Sequence, residues 1–403
     1  MKQYINRIAE DIVNDHLDYY WAGFKSVAYA VYDRKYVYLF NHPKMIKTHQ
    51  NKYQILKWNE EFTGCTLILH DDFPTAIVDI ELYKDYESLY SILIHELFHG
   101  FQYINNETRF PNEIHGVTYP LLKENIELRN QERENLYYAV LESNQHKKKQ
   151  YINNFIAYRE KRDTVLTKHL CYEKLIETVE GPAWYVELAA YSENSNIPYS
   201  SVLKKYGKHL IDKFESTFDL RKSCYSSGMY MCLLLDELSP RWKEDFWKKD
   251  VTLYDILKQK FSEEIAKINN FEINPETEKI MTRVIQNRKN TFETFEQQEG
   301  IHLYIHGEIT AKSFDPMNIV SMEDKLLHMN FIKVGINNSD YYVHQPVIAY
   351  CNDGLHNIRK LHLILKNSPI QGVDSLIIEG IGEINGSIVK QGKAFHLFVT
   401  GYV

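Results

Sequence analysis

The stretch "SLYSILIHELFHGFQYIN", residues 88–105, places polar side chains inside an apolar run. Apolar residues occupy nearly every face of a helix drawn through it, and such helices are buried in a domain rather than lying on its surface. In a helix over residues 88–103, His95 and His99 lie four residues apart and point to the same side. Buried imidazoles need partners, so the stretch predicts a buried helix that carries a functional site.

The motif His95-Glu96-Leu97-Phe98-His99 has a spacing that suits a metal ion. Two imidazoles one helical turn apart can bind the same zinc ion. Glu96 lies beside them, where it can accept a proton from a water molecule instead of binding the ion. The alternative is a polar cluster in the core that satisfies its own hydrogen bonds. We expect the metal site.

A catalytic zinc site usually has three protein ligands, so a third must come from elsewhere in the chain. The stretch "ETVEGPAWYVELAAY", residues 177–191, offers Glu180 just before Gly181-Pro182. A proline at this place indicates the start of a helix, which we expect over residues 180–192. Glu187 and Glu177 compete for the same role. A glutamate near a helix start can also interact with the helix dipole without any metal.

These motifs together resemble the gluzincins, the thermolysin-like and aminopeptidase-like zinc peptidases of the peptidase MA type. The second active-site helix of that family carries an E-G-x-A-x-Y motif. The matching residues are Glu180, Gly181, Ala183 and Tyr185. The resemblance covers about residues 25–240.

The resemblance implies a zincin-like fold with Zn²⁺ as cofactor. It implies that His95, His99 and Glu180 are the metal ligands and that Glu96 is the general base. The 80 residues between His99 and Glu180 exceed the spacing in compact family members, so we expect residues 123–166 to form an inserted helical hairpin.

A tyrosine can assist the metal by donating a hydrogen bond to the oxyanion formed during amide hydrolysis. "CYSSGMYMCLLLDEL", residues 224–238, resembles the Y-x-x-G segment of aminopeptidase-like gluzincins through Tyr225 and Gly228. The resemblance therefore implies Tyr225 as the donor. Tyr230 and Tyr185 are the alternatives, and each of the three could instead be a core aromatic residue.

Three further polar residues are weaker candidates. His70 and His115 could line a cleft, although a lone histidine beside a strand or loop is more often structural. Gln102, one turn after His99, could contact substrate or cap a neighbour. The G-x-M-E-N segment of aminopeptidases does not precede His95, which favours endopeptidase or oligopeptidase activity. We find no serine nucleophile elbow and no phosphate-binding glycine loop.

The order of β and helical patterns along the 403 residues predicts an α+β fold. We expect a catalytic domain over residues 1–298 and a β-rich domain over residues 299–403, which could bind substrate or a partner. The predicted parts of the first domain are a β-sheet at 25–82, the active-site helix at 88–103, the hairpin at 123–166, a second active-site helix at 180–192 and a helical subdomain at 200–298.

Composition excludes several classes of function. The net charge of −7 is spread along the chain without a basic stripe, so we do not expect a nucleic-acid partner. No apolar run is long enough to span a membrane. The five scattered cysteines favour a reducing cytoplasm over a disulfide framework.

The sequence therefore predicts a cytoplasmic zinc metallopeptidase, a hydrolase whose substrate is a peptide or protein. Two alternatives stay open. One is a zinc-stabilised binding module without turnover. The other is a metallohydrolase that acts on a non-peptide amide or ester.

Overall fold

The computed structural model of the protein describes residues 2–12, 14–45, 52–248, 251–261, 268, 271–352 and 357–399. It has a mixed α/β structure, with a small N-terminal sheet, a large helical part and a C-terminal β-rich part, as the sequence predicted. The chain forms two compact units. Unit 1 comprises Met1–Pro111 and Glu127–Phe271, and unit 2 comprises Asn112–Ile126 and Glu272–Val403. This division differs from the expected boundary at residues 298 and 299.

The helices are α1 (Lys2–Asp11), α2 (Asn14–Tyr20), α3 (Tyr86–Ile104), α4 (Glu113–Val117), α5 (Lys123–Leu141), α6 (Gln145–Asn194), α7 (Tyr199–Tyr206), α8 (Lys208–Ile211), α9 (Lys213–Phe218), α10 (Leu220–Leu238), α11 (Trp242–Phe246), α12 (Leu253–Gln259) and α13 (Pro275–Glu296). Short 3₁₀ helices cover Ile80–Leu82 and Pro316–Asn318. None of the helices in the described part of the chain has both the length and the apolarity needed to cross a membrane.

The strands are β1 (Ala28–Tyr32), β2 (Tyr36–Phe40), β3 (Gln54–Lys57), β4 (Thr66–His70), β5 (Phe73–Asp79), β6 (Ile301–Phe314), β7 (Ile319–Met322), β8 (Lys325–His328), β9 (Ile332–Ile336), β10 (Ser339–Val343), β11 (Val347–Cys351), β12 (Ile358–Leu365), β13 (Ile370–Gln371), β14 (Ser375–Ile378), β15 (Gly382–Asn385), β16 (Ser387–Gln391) and β17 (Ala394–Phe398).

The sheet of unit 1 has the strand order β3-β2-β1-β5-β4. Strands β1 and β5 run parallel, and the other neighbours are antiparallel. Asp71 and Asp72 have φ values of 48° and 66° and form the two-residue turn between β4 and β5. Pro74 lies within β5 and pairs with Leu69.

Helix α3 follows this sheet and extends the predicted active-site helix at both ends. The side chain of Asp85 accepts a hydrogen bond from the backbone N–H of Ser88 and caps the helix. The helix packs against β5, β4 and α6, and its apolar residues belong to the largest buried cluster of the protein. His95, Glu96 and His99 thus lie near the middle of a buried helix.

The expected hairpin appears as α5 and the first arm of α6. Helix α6 kinks at Leu166, where φ is −131° and ψ is 33°.

The expectation of a new helix at residue 180 is corrected, because α6 runs continuously from Gln145 to Asn194 with Pro182 inside it. A proline in a helix interior costs about 3 kcal/mol. Residues 176–183 are buried, and α6 packs against α3, α10 and α12. The burial of this segment therefore outweighs the local preference of Gly181-Pro182 for the start of a helix.

A cluster of buried ion pairs joins α5 to both arms of α6. Its members, which we call the arginine cluster, are Glu132, Arg133, Arg159, Arg162, Glu173 and Glu177, all with fully buried side chains. Arg159 contacts Glu132 and Glu177, each at 2.5 Å. Because Arg159 lies on the first arm and Glu177 on the second, the pair fixes the kink in α6.

We predict that Arg159→Met lowers the free energy of unfolding of unit 1 by about 3–5 kcal/mol, because it leaves two carboxylates buried with fewer partners. The measurement is urea unfolding followed by tryptophan fluorescence, since all five tryptophans lie in unit 1. The control is Lys52→Met, which removes the exposed pair with Glu10 and should cost less than about 1 kcal/mol. Equal effects of the two changes would contradict the prediction.

The main sheet of unit 2 has the order β10-β9-β6-β12-β11-β8-β7, and β17 joins β16 to β6. Asn274 caps α13 with Pro275 at its first position. Gln391-Gly392 starts the turn between β16 and β17. Asn385-Gly386 is not a hairpin turn, because β15 pairs with β14 instead of β16.

Candidate metal centre

The three predicted metal ligands come together between α3 and α6. The Nε2 atoms of His95 and His99 are 3.0 Å apart. Glu180 Oε2 lies 3.3 Å from His99 Nε2 and 3.7 Å from His95 Nε2. One ligand atom from each residue thus lies within 4.8 Å of the other two. His99 and Glu180, 81 positions apart in sequence, therefore present their donors to one point.

The other ring nitrogen of His95 faces a second carboxylate. His95 Nδ1 lies 3.0 Å from Glu187 Oε2, and Tyr206 donates a hydrogen bond to Glu187 Oε1 over 2.9 Å. A carboxylate in this position orients the imidazole so that Nε2 faces the ligand cluster. Glu187 was a candidate for the third ligand. Its contact is with the far side of His95 instead.

Gln102 connects the two helices that carry the ligands. Its Nε2 donates to the carbonyl of Val179 over 2.7 Å, and its Oε1 lies 2.7 Å from His99 Nδ1. Because the amide nitrogen is used on Val179, the amide oxygen must accept from His99 Nδ1–H. The Nε2 lone pair of His99 is then available to a metal. Gln102 was expected to contact substrate or to cap a neighbour, and in the structure it positions His99, a predicted ligand.

Two glycines allow α6 and α10 to touch. A Cβ added at Gly181 would lie 2.6 Å from Gly228 Cα, which is closer than real Cβ contacts. Only glycine permits this approach. It brings Tyr225 close to the ligands, with its ring 6.3 Å from that of His95 and nearly parallel to it. The glycines of both family motifs thus have a packing role in this chain.

The two alternative tyrosines point elsewhere. The hydroxyl of Tyr185 donates to Asp236 over 2.5 Å. The hydroxyl of Tyr230 donates to the carbonyl of Leu203 over 3.3 Å. Among the three candidates, Tyr225 is therefore the tyrosine that lies beside the histidine pair.

Arg221 was not found from the sequence. Its Nη2 lies 3.0 Å from Glu180 Oε1, and its Nε donates to the Tyr225 hydroxyl over 3.3 Å. The one available signal was its position on α10, one turn before Tyr225, where the two side chains share a helix face. That signal has no meaning until α10 is known to pack against Glu180.

Two of the remaining candidates have other partners. Glu177 pairs with Arg159 in the arginine cluster. His70 lies 3.0 Å from Glu61, and His115 lies in α4, in unit 2. A second group of potential ligands, Glu173, Glu177 and Cys224, contains carboxylates that already have arginine partners. These arginine side chains, and not a metal ion, therefore neutralise the two carboxylates.

The electrostatics of the site indicate a need for positive charge. Burial raises the pKa of Glu96, although His95 and His99 oppose that shift. Burial disfavours the charged form of Glu180 as well, but His99, His95 and Arg221 together hold its pKa well below the usual range. Burial also opposes protonation of His95, yet contacts with Glu180 and Glu187 raise its pKa to about 10. Without a metal, the site retains a proton.

The donor set fits a divalent zinc ion. Two imidazole nitrogens and one carboxylate oxygen match the ligands of catalytic zinc sites. The carboxylates of Glu96, Glu180 and Glu187 lie around the histidines, and Arg221 contacts the carboxylate of Glu180. A divalent cation would therefore offset the excess of negative charge.

Comparisons of this chain with protein-family models, with curated proteins and with solved structures find no match.

We predict that zinc binding strengthens with rising pH. His95 has a raised pKa of about 10, so the metal must displace a proton at neutral pH, and apparent affinity should rise about tenfold per pH unit below that value. The measurement is competition with a chelator of known pH dependence between about pH 6.5 and about pH 8.5. An affinity that stays constant over this range would contradict the assignment of His95.

Proposed function

We propose that the protein is a zinc-dependent peptidase with a gluzincin-like, zincin-type fold. The observation that carries the proposal is the convergence of His95 Nε2, His99 Nε2 and a Glu180 oxygen within 4.8 Å. Zinc bound at such a site supplies Lewis acidity, which activates water and polarises the carbonyl that is attacked.

Glu96 has the properties of a general base. It is buried beside the two histidines. Its raised pKa favours taking up a proton from water and passing it to the leaving amine. A purely structural metal site has no use for such a carboxylate. Glu96 therefore favours turnover over the binding-module alternative.

Tyr225 is suited to stabilise the oxyanion. Its hydroxyl accepts a hydrogen bond from Arg221 and interacts with the Glu180 carboxylate, so its own proton points toward the ligand cluster. Burial, together with Glu180, raises its pKa well above the usual value, so the phenol keeps that proton at neutral pH. A positioned neutral donor of this kind stabilises charge that develops during amide hydrolysis.

Strand β4 supports a peptide as the substrate. It forms one edge of the unit 1 sheet, pairing with β5 on one side among the described strands, and it packs against α3. An exposed strand edge can bind an extended peptide through backbone hydrogen bonds. An ester or other small acyl substrate would make no use of this edge.

The five cysteines are free, and we propose a cytoplasmic location. We also propose that the β-rich part is available to substrate or a partner.

We predict that Glu96→Gln lowers the rate of peptide cleavage about 100-fold or more, because the proton acceptor is lost. The zinc content should stay at the wild-type level. A peptide-library digest with mass-spectrometric detection gives turnover, and elemental analysis gives zinc. The matched control is Glu87→Gln, in the first turn of α3, which should change neither quantity. Cleavage that survives in Glu96→Gln would contradict the role of the carboxylate.

We also predict that Tyr225→Phe lowers kcat by about 10²–10³ and leaves zinc binding intact, since the oxyanion loses one donor. Tyr230→Phe serves as the control, because the hydroxyl of Tyr230 contacts Leu203 and not the site. Equal activity of the two variants would exclude Tyr225 as the donor.

A further inference from the structure

Arg221 lies between the ligand Glu180 and Tyr225. It belongs to α10, one turn before Tyr225, and its side chain is 15% exposed. Two edges of its guanidinium are used at once, Nη2 toward Glu180 Oε1 at 3.0 Å and Nε toward the Tyr225 hydroxyl at 3.3 Å. A planar guanidinium holds both partners in one fixed geometry, which a lysine ammonium does not reproduce.

The two oxygens of Glu180 have different partners. Oε2 faces the Nε2 atoms of His95 and His99, whereas Oε1 faces Arg221. A carboxylate can bind a metal through one oxygen or through both. Because Oε1 already accepts from a cation, turning it toward the metal would break a charge-assisted hydrogen bond in a buried place.

A positive charge next to a cation site should weaken metal binding through repulsion. The presence of Arg221 beside the buried carboxylate of Glu180 therefore needs a benefit that compensates for this repulsion. The contacts supply one, because a fixed carboxylate and a fixed phenol leave the remaining positions around the ion open to water and substrate.

We propose that Arg221 is a positioning residue that restricts Glu180 to a single ligating oxygen and fixes the Tyr225 hydroxyl beside it. This inference rests on the proposed function, since it takes Glu180 as a zinc ligand. It goes further by assigning a residue that none of the motifs contains.

The test uses the full-length protein with zinc or cobalt(II) as the probe, in the variants Arg221→Met and Arg221→Lys. Zinc affinity is measured by chelator competition, and the visible absorption of the cobalt(II)-loaded protein reports coordination number. The matched control is Lys222→Met, which removes the next positive charge on α10 at an exposed side chain that pairs with Asp219. Tryptophan fluorescence confirms that each variant is folded.

We expect Arg221→Met to bind zinc about 10- to 100-fold more weakly than wild type, as for other residues that orient metal ligands. Its cobalt absorption should weaken, because a second oxygen of Glu180 raises the coordination number. Arg221→Lys should show the same spectral change to a smaller extent, although it retains the charge. Lys222→Met should match wild type in both measurements.

Two outcomes overturn the inference. Tighter zinc binding by Arg221→Met would mean that the arginine acts only through its charge. Wild-type cobalt absorption in Arg221→Met, or in Arg221→Lys if the methionine variant does not fold, would mean that Glu180 does not depend on it. Failure of the wild-type protein to bind either metal would instead contradict the proposed function itself.

Discussion

The contact between Gly181 and Gly228 is the constraint on which the site depends. It allows the backbones of α6 and α10 to meet, since a Cβ on either residue would overlap the other helix. Glu180 directly precedes one glycine, and Tyr225 comes three residues before the other. A larger side chain at this crossing would move the carboxylate away from the phenol. The geometry of the proposed chemistry thus begins with helix packing.

Two glutamates on α6 illustrate how buried carboxylates are stabilised. Glu177 and Glu180 lie three residues apart, and both are buried. Glu177 pairs with Arg159, a cation that belongs to the protein. Glu180 faces His95 and His99 with one oxygen, and Arg221 contacts the other. The first carboxylate is thus neutralised by the fold, and the second retains an oxygen and a place for an external cation.

The sequence was most informative where the signal lay within one helical turn. His95 and His99 share a face in any helix, so their proximity followed from spacing alone. Glu180 was selected by resemblance, and its approach to the histidines depends on the fold. The predicted helix start at Gly181-Pro182 was wrong, because local preference for a break was outweighed by burial of α6 on several sides.

The roles of the supporting residues could not be predicted, since they depend on contacts between distant segments. Gln102 acts through the carbonyl of Val179, 77 residues away. Arg221 acts through Glu180, 41 residues away. Single side chains of these types carry no pattern in a sequence. Their functions become visible only once α3, α6 and α10 are packed together.

The central claim is that two imidazoles and one carboxylate share a single divalent ion. Anomalous diffraction at the zinc absorption edge, from crystals of the zinc-loaded protein, tests it most directly. The account predicts one strong peak within bonding distance of the Nε2 atoms of His95 and His99 and of Glu180 Oε2. A peak bound by other residues, or none between α3 and α6, would contradict it.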